Sequence, residues 1–329
     1  MNTFLGGPDM PARRSQLLRH RRRVPAYFRA ALRDLRMNKL LYLLIIPPLA
    51  YLIVFHYLPM YGVIISFQDF SFRKGYFSSD WVGLEHFQWL FENPSFRRAF
   101  FNTFKINLLR IVIGFPCPII LALLINEVRI TLFKRTVQTV SYLPFFISWV
   151  VLAGIFNDLL SRDFGAVNNV FATLGLPRID FLQDPNVFPF TLVITEIWRT
   201  VGWGSIFYQA TIATISPTLY EAAEVDGANR LHKILYITLP ALRPTMVILL
   251  LLSIGNVLRV GFDQVFNLYN PLVYETGDII MTYIVRSFSE FPRFSRLAAA
   301  GFIQSLLGLV MLLVANEAVK RLQDGEGIY

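Results

Sequence analysis

The residues able to do chemistry are a few charges set in apolar surroundings. Glu196 and Arg199 lie three residues apart within the stretch 188–215, so one face of a helix carries both. Counted from residue 188 at 1.5 Å per residue, they fall roughly 12 Å and 16 Å along that helix, near the middle of a bilayer's hydrocarbon. A lone charge at that depth costs about 2.5–3.5 kcal/mol on insertion scales. Two readings follow: an internal pair that lowers this cost, or a polar patch on a solute path. Arg110, roughly 15 Å into the stretch 101–126, is a further charge at similar depth. Lys105 and Arg259 lie nearer the ends of their stretches and read as snorkelling side chains. Trp198, Trp203, Phe207 and Tyr208 accompany the charges. They can stack on the apolar faces of sugar rings or pack helix on helix, and packing is the commoner use in a bundle. The candidate path is therefore Arg110, Glu196, Arg199, Trp203 and Tyr208. An anionic solute would find its partners in Arg199 and Arg110, since a guanidinium suits bidentate recognition of a carboxylate.

Other chemistries lack their residues. No Gly-x-x-x-x-Gly-Lys-Ser/Thr phosphate loop occurs, so any ATP and magnesium chemistry belongs to a separate chain and no cofactor is expected here. His20, His56, His86 and His232 are far apart and show no metal-ligand spacing. Cys117 is the single cysteine; it lies in an apolar run and reads as a small packing residue. There is no Gly-x-Ser-x-Gly nucleophile elbow. An enzyme reading has nothing to stand on.

The elements that must hold these charges are membrane helices. Over 329 residues the chain is 54% hydrophobic and 16% charged, against about 25% charged in soluble proteins. Six stretches approach the length of about 20 apolar residues that a span requires: 40–67, 101–126, 136–157, 188–215, 241–262 and 297–316. The fold class is all-α, a six-helix integral membrane protein. The net charge of +9 invites a nucleic-acid partner, but the arginines near the start (Arg13, Arg14, Arg19, Arg21, Arg22, Arg23) bring no aromatic or zinc pattern. They fit the positive-inside rule and attract anionic lipid. With the N-terminus inside, inner segments hold eighteen Lys/Arg and outer ones eight, which places both termini in the cytoplasm. Residues 1–39 then form a basic tail with an amphipathic helix over 23–39 and no secretory signal. Residues 40–323 form the membrane domain, and 324–329 a short inner tail. Trp81, Phe87, Trp89, Leu90 and Phe91, among charges, suit a helix lying in the outer interface.

The long polar break 217–240 falls on the inner side. It reads as a short helix, an elbow at Gly227, and a second short helix that stops at Pro240. The run Pro217-Thr-Leu-Tyr-Glu-Ala-Ala-Glu-Val-Asp-Gly-Ala228, then Ile237-Thr-Leu-Pro240, resembles the EAA loop of permease subunits in binding-protein-dependent ABC importers. The stretches 114–127, 197–204, 261–271 and 325–329 are similar to the oligosaccharide and polysaccharide permeases related to the maltose importer, from about residue 39 to the end. Arg199 departs from that pattern, where an uncharged polar residue is frequent. The resemblance implies a type I importer permease fold in the bacterial inner membrane. It also implies a second, homologous permease, two ATPase subunits, an extracytoplasmic solute-binding protein and an oligosaccharide substrate, acidic ones such as alginate fragments included. On the same grounds Glu221 pairs with a basic residue of the ATPase, Ala222 and Ala223 permit close helix approach, and Asp226, Gly227 and Pro240 shape the joint. The rival reading is a secondary transporter or channel without ATP coupling, and the absence of a discernible inverted repeat weighs against it.

Overall fold

The computed structural model describes residues 34, 37–256, 261–290 and 293–322, and the chain divides into two units, 1–61 and 62–329. The proposed 23–39 helix lies almost wholly outside the described residues, as do Arg259 and the tail 324–329. In the first unit, α1 (Lys39–Leu52) carries Pro47 and Pro48 within it. Asp34 secures its start, accepting from Asn38 Nδ2 and from the Tyr42 hydroxyl, both at 2.7 Å.

The second unit opens with a small antiparallel pair, β1 (Gln68–Asp69) and β2 (Asp80–Trp81). The amphipathic α2 (Glu85–Glu92) follows and carries Phe87, Trp89, Leu90 and Phe91 of the expected helix, whereas Trp81 pairs in β2 instead. The next span starts seven residues earlier than its apolar run, as α3 (Pro94–Leu109), because Asn93 caps it: Ser95 and Phe96 donate their N–H groups to Asn93 Oδ1 at 2.9 and 3.1 Å. It continues into α4 (Pro116–Glu127). The third span is not one helix. Thr131–Phe146, whose α-helical part is α5 (Thr131–Tyr142), meets α6 (Trp149–Leu160) at a bend of 109°. Pro144 sits in a tight 3₁₀ turn at the break and Ser148 caps the restart, so the continuous 136–157 helix gives way to a broken one.

After the short α7 (Ala166–Thr173), the 26-residue α8 (Phe188–Ala213) is long enough to cross a bilayer, though Glu196, Arg199 and several threonines dilute its apolar character. Four stretches are apolar enough by length and composition, Lys39–Phe67, Pro94–Glu127, Arg230–Gly255 and Phe294–Glu317, and the bent pair makes a fifth. With α8, which falls outside that set, six helical stretches stand where six spans are expected. Buried residues of α8 enter two cores: Phe188 and Leu192 pack with Trp149, Leu152 and Val265, while Tyr208 and Ile212 pack with Ile119, Ala122 and Leu242.

The elbow comprises α9 (Pro217–Val225) and α10 (Arg230–Lys233). Here the expectation that Pro240 ends the second helix is corrected. The chain widens into a π turn over Ile234–Thr238, where Leu239 N–H reaches back five residues to Ile234 O, and it runs on as α11 (Leu239–Asn256). Proline lacks an N–H and its ring presses on the carbonyl four residues back; one extra residue in the turn relieves both. The same device precedes Pro59 and Pro116, at Ile53–Tyr57 and Arg110–Gly114. The second helix of the elbow and the fifth span are thus one continuous rod. After α11 come α12 (Phe262–Leu268), α13 (Ile280–Glu290) and the last span α14 (Phe294–Leu322).

The bent third span rides against α8 at Gly202, where an added Cβ would overlap the backbone carbonyl of Ser141. Gly202→Ala is therefore expected to destabilise the bundle by about 1–3 kcal/mol, as overpacking does. A lowered thermal midpoint of the purified complex checks this; an unchanged midpoint would show that the contact yields freely.

Candidate functional site

Arg110, Glu196, Arg199, Trp203 and Tyr208 all line one cavity of about 580 Å³ between α3, α4, α8 and α11. Glu196 and Arg199 also line a second, of about 490 Å³, with Trp149, Asp263, Gln264, Met281 and Gln304. The two charges therefore stand where the cavities meet. One cavity extends along α8 toward Tyr208 and the other toward Gly261 and the start of α12.

The charges are held differently from a simple i, i+3 pair. Arg199 donates from Nε to Ile147 O at 3.3 Å and from Nη2 to Phe145 O at 3.2 Å. Those carbonyls lie in the break of the third span, where the helix leaves them without partners, so the guanidinium pins the bend. Its Cζ lies 5.3 Å and 5.4 Å from the ring centroids of Phe145 and Trp149. Phe145 in turn stacks on Trp203 at 4.6 Å with planes 3° apart. Trp203 thus joins the pinned bend to α8 while also lining the cavity.

Arg110 donates from Nη2 to Gln264 Oε1, and Gln264 Nε2 donates to Leu192 O and Thr195 Oγ1, both at 2.7 Å. This buried relay ties the second span to α12 and α8. Gly261, with φ +101°, lies under the guanidinium, where any Cβ would collide with it. Glu196 lies within electrostatic range of both arginines, yet its Oε2 is buried without a hydrogen-bond partner. A buried oxygen in that state is costly, so a ligand hydroxyl or water is its natural complement. Gln264 lies in the family-like stretch 261–271, but its role could not be read there, since it depends on a fold contact across more than 150 residues. Tyr208 is packed, at 2% exposure.

The elbow is the second constituent. Gly227, at φ +80°, donates to Glu224 O at 3.0 Å and Ala228 donates to Ala223 O at 2.8 Å, the paired bonds of a glycine-terminated helix. Lys233 binds Glu224 at 2.5 Å across the joint and Tyr220 meets Thr238 at 2.9 Å, which hold α9 against the π turn. The Lys233 hydrogen bond keeps the Glu224 carboxyl below its ordinary range. The clamp is therefore complete above the unfolded carboxylate pKa and is lost as pH falls through the lowered one. Glu221 and Asp226 have no partner among the described residues, and Val225, Leu231 and Tyr236 stand exposed beside them. A groove of about 340 Å³ runs between Ala223, Gly227, His232 and Tyr236.

The model of the family described as "binding-protein-dependent transport system inner membrane component" matches residues 114–323. The chain is 41% identical over 292 residues to the polygalacturonan/rhamnogalacturonan transport system permease protein YteP of Bacillus subtilis, covering 89% of this chain and 91% of that one. Among solved structures, it superposes with a TM-score of 0.82 at 39% identity on a chain of a bacterial ABC transporter involved in the import of the acidic polysaccharide alginate, covering 89% of this chain and 99% of that one. A second structure, of a bacterial alginate ABC transporter in complex with an alginate pentasaccharide-bound periplasmic protein, matches at 40% identity and TM-score 0.82 over 90% and 99%.

The chain belongs to the binding-protein-dependent transport family of inner-membrane components. Within it, the chain is a multi-pass permease subunit of a sugar ABC importer with the type I fold, and the family is one of membrane permeases rather than of catalytic enzymes. The reading as a secondary transporter or channel is thereby set aside.

Proposed function

We propose that this permease forms half of the path for an acidic oligosaccharide, with a second, homologous permease completing it. A solute-binding protein delivers the glycan, and two separate ATPase subunits drive transport by engaging the α9–α10 elbow. Both termini then lie in the cytoplasm. The observation that carries the substrate class is the pair Glu196 and Arg199 shared by two cavities, with Arg110 on the wall of the first, where guanidinium groups can receive carboxylates and the orphaned Glu196 oxygen can receive sugar hydroxyls. The acidic glycans named for the alginate importer and for the Bacillus subtilis permease support the same class.

Because α10 continues into α11 without a stop, and the Lys233–Glu224 and Tyr220–Thr238 contacts tie α9 to it, force on Glu221 and Ala223 reaches the cavity wall at Leu249 and Leu252 as rigid-body motion. ATP and magnesium act on the partner subunits, while this chain converts their closure into helix rotation. The test is reconstitution of the permeases and ATPases in liposomes with a binding protein loaded with either an oligouronate or a neutral oligosaccharide of equal length. ATP hydrolysis is expected to rise with the oligouronate. Equal stimulation by the neutral glycan would overturn the acidic substrate class.

A further inference from the structure

A third cavity, of about 390 Å³, lies away from the path. Met281 of α13 lines the path cavity, whereas Tyr283, Arg286, Ser287 and Glu290 of the same helix line this one, on another face. Its remaining walls include Trp89 at the end of α2, Ser95 in the first turn of one span, and Arg293 and Arg296 at the start of another. Three arginines thus face one acid, Glu290, across a small space, and Arg98 donates to Ser95 Oγ at the rim, at 3.3 Å.

The arginines are preorganised. Arg286 is clamped to the buried Asp278 at 2.6 Å, and its Cζ lies 4.3 Å from the Tyr274 ring centroid. Arg296 lies over Trp89 at 3.8 Å. After these contacts Arg286 Nη1 and Arg296 Nε remain buried without a hydrogen-bond partner. Buried charged donors left in this state call for an acceptor. The surroundings say which kind. Phe91, Phe101 and Phe288 are exposed apolar residues on the helices that frame the cavity, Leu84 stands exposed just before α2, and α2 is amphipathic, as a helix lying in an interface would be. Ser95 and Arg296 stand in the first turns of two spans, at headgroup depth, where helix N-termini also favour an anion.

We propose that this cavity binds the phosphate of an anionic phospholipid of the outer leaflet, with its acyl chains along the exposed apolar side chains. The assignment rests on the membrane orientation of the preceding section. A translocated glycan would have to sit on the face of α13 turned from the path, and a docking protein would meet apolar side chains where lipid chains fit.

The assembled transporter, purified from nanodiscs containing phosphatidylglycerol and phosphatidylcholine in equal amounts, is examined by native mass spectrometry for retained lipid. Preferential retention of phosphatidylglycerol is expected. Arg293→Gln with Arg296→Gln should weaken it roughly thirtyfold, while Arg293→Lys with Arg296→Lys should keep most of it, since the charge near the surface carries the attraction. Retention that is unchanged in the glutamine variant, or equal for the two lipids, overturns the proposal. So does displacement by an oligouronate or by glycerol phosphate at millimolar concentration with no preference for the intact lipid. ATP hydrolysis stimulated by the loaded binding protein, measured on the same samples, reports separately on the importer reading.

Discussion

Gly227→Val is expected to abolish coupling: ATP hydrolysis stimulated by the binding protein should fall by about tenfold or more, because a β-branched residue at positive φ costs roughly 1–2 kcal/mol and is relieved by opening the turn. No atom lies within 4 Å of a Cβ placed there, so the effect comes from backbone conformation alone. The variant should insert into the membrane in normal amounts. Gly227→Asn is the informative companion, since asparagine tolerates the left-handed region and should retain much of the activity. Measuring ATPase activity and membrane abundance of both variants decides the matter. Full stimulation in the valine variant would remove the elbow from the coupling route, as would equal loss in the asparagine one.

Arg110→Gln should have the second large effect. The substitution takes a guanidinium from the buried relay to Gln264 and leaves Arg199 as the cation still within range of Glu196, a loss of about 1–3 kcal/mol from the hydrogen bonding left unmade. Both stability and uptake of an oligouronate should suffer. Adding Glu196→Gln removes a buried charge that has lost one of its two cationic neighbours and should recover much of the thermal midpoint, but uptake should stay about a hundredfold down if a carboxylate is received there, two orders of magnitude being about 2.7 kcal/mol of lost stabilisation. Proteoliposome uptake of labelled oligouronate, set beside the thermal midpoint of single and double variants, separates the two roles. Recovery of uptake together with stability in the double variant would assign Arg110 to folding alone. Arg199 is the poorer choice for this experiment, because its Nε and Nη2 already hold the carbonyls of Ile147 and Phe145.

These expectations draw on different levels of the molecule. Local sequence was enough for what depends on near neighbours. Apolar runs gave the number of spans, because bilayer thickness sets helix length independently of packing. The Gly227 turn, and the spacing of Glu196 and Arg199 on one helix face, follow from helix geometry. Proline signals were less reliable. Pro240 reads as a stop, but a π turn absorbs it; Pro144 lay inside an apparent span and instead marks a bend of 109°. The outcome at each proline depends on whether the freed carbonyls find other partners. At the bend Arg199 supplies two donors from 52 and 54 residues away.

The chain by itself determined a six-helix membrane protein with an exposed elbow and a few charges at mid-depth, because hydrophobic length, charge asymmetry and turn chemistry are local properties. Only the tertiary structure decided that Arg110 reaches Gln264, that Glu196 keeps an orphaned oxygen between two cavities, and that Arg286, Arg293 and Arg296 converge beside Trp89. Each of those depends on which helix faces meet. In a membrane, small residues and buried polar contacts select these meetings, rather than a hydrophobic force that the sequence pattern would reveal.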